Sequence, residues 1–183
     1  MDKVANGLVS SSKLHVRPAT AADLPAILHL MAAVVPLMRA AGNQQWSADY
    51  PNETVFRQDI AREQLWVAEA TGTVVGVAAL TMDQDPEYAD AGWEPGAPAI
   101  VTHRLAVSPA AQGQGVAAAL LGQAEKLARV RGLYRLRVDT NSENVATQRL
   151  FPKLGYRFAG EIGLSYRPGL RFFCYEKELP GAA

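Results

Sequence analysis

Disulfide bonding within the chain is excluded, because Cys174 is its single cysteine. That thiol sits in the run R-F-F-C-Y-E, where it reads as a small buried hydrophobe rather than a nucleophile. Its isolation suits a reducing compartment, and a cytoplasmic location is expected. Excess charge of one sign is also missing: 18 basic and 18 acidic residues cancel. No field would therefore draw in a nucleic acid or an anionic membrane surface, and neither is expected as a partner. No apolar run is expected to approach the length of a membrane span. Residues 1–12 lack the apolar centre of a secretion signal and read as a flexible tail. The remainder, 13–183, reads as one domain, with an apolar share of 49% that can fill a real core.

What the chain does contain is a regular succession of short elements. Residues 14–18 alternate as a strand stopped by Pro18. Thr20 and Asp23 resemble a capping box, and Leu24, Ile27, Leu28, Met31, Val34, Val35 and Met38 then recur at helical spacing. Pro36 is expected to kink or end that helix. A polar loop, 42–51, carries Trp46 and Tyr50 and precedes a helix at 53–63. Two strands, 65–70 and 73–81, meet at Thr71-Gly72, a hairpin signal. A long acidic loop, 82–98, leads to a strand at 100–107. A helix reaching about residue 131 shows Val116, Leu120, Ala124 and Leu127 on one side. A strand at 133–139, a helix at 144–154 and a strand pair at 156–162 and 171–178 complete the order. The pattern predicts a mixed α/β sheet of about seven strands covered by about four helices.

The segment Ser108-Pro109-Ala110-Ala111-Gln112-Gly113-Gln114-Gly115 links the 100–107 strand to its helix. Two glycines at a helix mouth let the backbone approach a ligand, and the first helical turn offers unpaired N–H groups at the positive end of its dipole. That combination cradles phosphate. A nucleoside triphosphatase loop would need Lys-Ser or Lys-Thr after the glycines, and none follows. A dinucleotide fingerprint is met formally by Gly113-Gln114-Gly115-Val116-Ala117-Ala118. Its strand-to-glycine link is too long, however, and Asp139 lies beyond the usual spacing.

Gln112 to Ala117 also matches Q/R-x-x-G-x-G/A, and Asn144 to Tyr156 matches N-x-x-(A/T)-x-x-L-(Y/F)-x-x-x-G-(F/Y). With both motifs in this order, the chain resembles the GNAT N-acetyltransferase superfamily from about residue 14 to 179. The resemblance implies acetyl-coenzyme A as cosubstrate, an amine as acceptor and no metal. It implies a sheet splayed between the fourth and fifth strands. The amides of Gln112, Gly113, Gln114, Gly115, Val116 and Ala117 would hold the pyrophosphate. Leu105, Ala106 and Val107 would pair with the pantetheine arm, and a backbone N–H near Leu105 or Ala106 would polarise the thioester carbonyl. Asn144 would contact pantetheine or cap its helix, two roles that residue type leaves open. Family members are often dimers, so a homodimer is among the implied arrangements.

The implied reaction needs an amine freed of its proton, since an alkyl ammonium has a pKa near ~10.4. His103 is the first candidate base, with Glu69 and Asp139 behind it. Strict alternation would put His103 on the same face as Val101, Leu105 and Val107, where it could equally be a core residue. Many relatives place a proton-donating tyrosine seven residues after the asparagine. This chain has Phe151 there, which leaves a packing role against the pantetheine, and Tyr156 is expected to point into the core. An acyl-coenzyme A-binding module without turnover is the alternative that Phe151 opens. Trp46 and Tyr50, together with Tyr88 and Trp93 of the acidic 82–98 loop, are candidate acceptor contacts through cation–π attraction.

Overall fold

A computed structural model of the chain describes residues 14–94 and 96–181; the tail expected at 1–12 lies outside them. The elements are β1 (His15–Pro18), α1 (Leu24–Ala40), α2 (Glu53–Ala61), β2 (Leu65–Ala70), β3 (Thr73–Thr81), β4 (Ile100–Val107), α3 (Val116–Val130), β5 (Arg135–Asn141), α4 (Val145–Lys153), β6 (Arg157–Gly163) and β7 (Arg171–Glu178). They form one seven-stranded sheet in the order β1-β2-β3-β4-β5-β7-β6. Every neighbouring pair is antiparallel except β4 and β5. This is the expected mixed α/β sheet.

Alternation within the strands divides the core between the two faces of the sheet. On one face α3 packs Val116, Leu120, Leu121, Ala124 and Ala128 against Ala78, Leu80, Ile100, Leu136 and Val138. On the other, α1 lays Leu24, Ile27, Leu30, Met31 and Val35 over Val67, Val77, Ala79 and Ala106. A third cluster, built around Tyr88, Trp93, Val101, Phe172 and Cys174, fills the space under the 82–98 segment. The thiol of Cys174 is wholly buried there, and burial pushes its pKa up, away from nucleophilic use.

Two expectations need correction. Pro36 does not end α1, which runs on to Ala40; Pro36 is exposed, so the bond its missing N–H forfeits lies on the solvent side. Residues Ala21–Ala40 are also long and apolar enough, by length and composition alone, to cross a membrane. Their apolar stripe packs on the sheet, the arrangement of a core helix.

Arg137 on β5 ties the 82–98 segment to the sheet. It is 1% exposed, yet it donates to Glu176 at 2.7 Å, Gln84 at 2.5 Å and the carbonyls of Glu94 and Ala97 at 3.1 and 3.3 Å. Its guanidinium lies 4.9 Å from the centre of the Trp93 ring. Removing one partner of a buried pair strands the other charge, a cost of about 3–5 kcal/mol. Arg137→Ala should lower the unfolding midpoint by roughly 10 °C on that scale. Calorimetry showing a midpoint within a degree or two of the parent would remove Arg137 from this role.

Candidate active site

The fourth strand breaks its own periodicity. Against β3 the register runs Leu80 to Thr102 and Ala79 to His103, then Val77 to Ala106, so one extra residue bulges from β4. Arg104 takes the bulge with φ of 53°, a left-handed conformation that a non-glycine residue holds only when its surroundings enforce it. The enforcement is a fork of two bonds to Asp59 on α2, at 2.7 and 2.8 Å. The bulge corrects the expected placement of His103. Leu105 and Val107 pack toward α3, whereas Val101 and Ala106 belong to the clusters on the opposite face, and alternation up to the bulge keeps His103 with Val101.

The bulge also parts the parallel strands. β4 and β5 are paired only from Ile100 to Thr102 against Leu136 to Val138. Beyond that point both strands line a cavity of about 640 Å³, within the range of small-molecule sites. Its wall includes Thr102 to Val107 of β4, Val138 to Thr140 of β5, the glycine loop, Asn144 and Phe151. The hydroxyl of Thr102 is buried at this split without a hydrogen-bond partner, as fits a polar ligand entering between the strands.

The glycine loop opens onto the same cavity. Gly113 and Gly115 have φ of 75° and 80°, and a Cβ on either would project into open space rather than into protein. The first helical bond of α3 joins the Ala119 amide to the Gly115 carbonyl. The amides of Gly113, Gly115, Val116 and Ala117 find no backbone acceptor among the described residues, while those of Gln112 and Gln114 turn back to Pro109 and Ala111. Unbonded amides over a space free of side chains fit a phosphate-bearing ligand. Asn144 is a helix cap: its side chain accepts from the Thr147 amide at 3.4 Å, while it also lines the cavity. Phe151 is buried, with its ring centre 5.2 Å from that of Tyr175. The Tyr156 hydroxyl is buried without a partner and lies outside the cavity wall.

His103, Asp139, Trp46, Tyr50, Tyr166 and Arg167 also line the cavity. Trp46 is held by the Arg39 guanidinium, which donates to its carbonyl at 3.0 Å. Burial raises the Asp139 pKa; the nearby His103 charge and the hydrogen bond from the Tyr88 hydroxyl pull it back. Tyr88 and Trp93 do not line this cavity. Both are buried in the core under the 82–98 segment, ring centres 4.8 Å apart and edge to face. Tyr88 touches the site only through its bond to Asp139, and burial followed by that carboxylate holds its phenol protonated. Glu69 lies on β2 opposite His15 and is bound by Arg17 at 2.9 Å, away from the cavity. Sequence reasoning missed Arg104, Tyr166 and Arg167. None lies in a motif, and only the pairing of distant elements assembles them.

The family model described as Acetyltransferase (GNAT) family matches residues 31–156. An uncharacterized N-acetyltransferase, YesJ, of Bacillus subtilis (strain 168) is 26% identical over 97% of this chain and 96% of its own length. A GNAT-family acetyltransferase from Streptococcus agalactiae 2603 superposes with a TM-score of 0.76 at 26% identity, covering 91% of this chain and 96% of that one. A putative acetyltransferase from Staphylococcus aureus Mu50 gives 0.67 at 28% identity, covering 90% and 99%. A fold, a loop and a split sheet of this kind, matched by sequence along more than half its length, make the chain a member of the GNAT acetyltransferase family, and an acyltransferase.

Proposed function

We propose that this enzyme moves an acetyl group from acetyl-coenzyme A to an amine by direct attack within a ternary complex. One observation carries the reading. A single cavity joins the unbonded amides of the glycine loop to the β4/β5 split and to Asp139. The cosubstrate supplies an acyl group activated as a thioester. The loop amides of Gly113, Gly115, Val116 and Ala117, rather than the bonded ones of Gln112 and Gln114, hold its diphosphate, and the free edge of β4 from Leu105 to Val107 aligns its arm. A backbone N–H at the bulged end of β4 steadies charge on the acyl oxygen.

Asp139 takes the proton that the acceptor ammonium must lose, so that a lone pair on nitrogen can form the new bond to carbon as the carbon–sulfur bond breaks. His103 faces that carboxylate and favours its ionised form when protonated. Phe151 has no proton to give, and a thiolate whose parent pKa is near ~8.5 leaves without one. The competing reading, a binding module without turnover, draws on the same Phe151. Release of free coenzyme A across a panel of amines separates the two. Amine-dependent release is expected; tight acetyl-coenzyme A binding with none would favour the module.

A further inference from the structure

Around the Tyr50 and Tyr166 side of the cavity the Asp139 carboxylate accepts from the Tyr88 hydroxyl and is in no ion pair among the described residues. Arg104 is neutralised by its two bonds to Asp59, and the Asp85 carboxylate accepts from the Tyr166 hydroxyl at 2.9 Å. Arg167 forms no ion pair among the described residues. Its guanidinium carbon lies 4.4 Å from the centre of the Tyr50 ring and 6.0 Å from that of Tyr166. The Tyr50 hydroxyl accepts in turn from Arg104 at 3.4 Å, so the cation rests on an anchored platform. Contact with a ring steadies a guanidinium but satisfies none of its N–H donors. Backbone turns fix the segment, with the Arg167 amide bonded to the Leu164 carbonyl at 2.8 Å and the Leu170 amide to the Arg167 carbonyl at 3.2 Å.

We propose that the acceptor is an amine that also carries an oxyanion group, a carboxylate or a phosphate, with Arg167 receiving the oxyanion and Asp139 the ammonium. The proposal rests on the acetyl-transfer reading and names its substrate class. A ligand filling the cavity strips water from Arg167, and a neutral amine would leave that cation unpaired at a cost. An oxyanion meets the guanidinium fork with paired N–H bonds. Polyamines are disfavoured, because their further positive charges would approach Arg167.

Matched pairs test this: phenylalanine against phenylalaninamide, and phosphoethanolamine against ethanolamine, with spermidine as the cationic extreme. The anionic member of at least one pair should be preferred in kcat/KM by about tenfold to a hundredfold, the scale of a charge-assisted bond. The pair that responds identifies the oxyanion. Arg167→Gln should collapse that ratio by a similar factor, and Arg167→Lys should restore part of it. Equal use of neutral and anionic members, a best rate with spermidine, or weakened acetyl-coenzyme A binding in Arg167→Gln would overturn the proposal. If no amine is acetylated, the transfer reading fails, and calorimetric binding of the same ligands to the acetyl-coenzyme A-saturated protein still decides. Arg167-dependent preference for the anionic ligands would sustain the substrate class; its absence would end it.

Discussion

Gly115→Glu should reduce acetyl-coenzyme A affinity by about a hundredfold or more while the protein stays folded. Two independent effects act at this position. At φ of 80° any L-residue is strained, by about 1–2 kcal/mol. The added side chain also projects into the open space before the unbonded amides, where a second negative charge would repel a diphosphate. Gly115→Ala separates these, since it keeps the strain and a small part of the bulk but adds no charge. Its affinity should fall between those of the parent and the glutamate variant. Titration by calorimetry, with circular dichroism to confirm folding, makes the measurement. Undiminished affinity in a folded Gly115→Glu protein would move the ligand away from the glycine loop.

Asp139→Asn should lower kcat/KM by about two to four orders of magnitude, the range a general base contributes. Stability should move the other way. The Asp139 pKa is raised in the folded protein, chiefly by burial, so the folded state binds its proton more tightly than the unfolded chain does. Ionisation therefore costs stability as pH rises from the ordinary aspartate value toward the raised one, and the full cost remains above it. The amide escapes that cost while still accepting the bond from Tyr88. At neutral pH the variant should melt no lower than the parent, which separates lost chemistry from lost folding.

The pH–rate profile adds a sharper distinction. The groups facing Asp139 are His103 on β4, Tyr88 and Asp85 on the 82–98 segment, Cys174 on β7 and Tyr166 after β6. Among them only His103 can carry positive charge. His103→Ala should therefore shift the acidic limb of kcat/KM to higher pH, whereas Asp139→Asn should remove the limb. A limb lost in the histidine variant and kept in the aspartate one would make the imidazole the proton acceptor.

Where local pattern decides structure, the sequence was a sufficient guide. Helical spacing on α1 and α3, the Thr71-Gly72 turn and the glycine loop all express constraints contained within a few neighbouring residues. At the site the failures are non-local. The side of the strand that His103 occupies depends on a bulge, and the bulge depends on a carboxylate 45 positions away at Asp59. In the sequence Tyr88 and Trp93 read as acceptor contacts carried by an acidic loop. They are buried because Arg137, itself enclosed, takes carbonyls from that loop as ligands for its charge. Arg167 belongs to no motif and gains meaning only from Tyr50, which a different part of the chain supplies.

The brevity of the β4–β5 ladder has a mechanical consequence. Strands β1 to β4 and strands β5 to β7 are each knitted by long antiparallel registers, yet just three rungs join the two groups. Two antiparallel panels thus meet along a short seam that α3 spans on one face, and the cavity is the unstitched remainder of that seam. Whatever lodges there touches both panels and completes the stitching, so occupancy and the cohesion of the whole sheet are one equilibrium viewed from two sides.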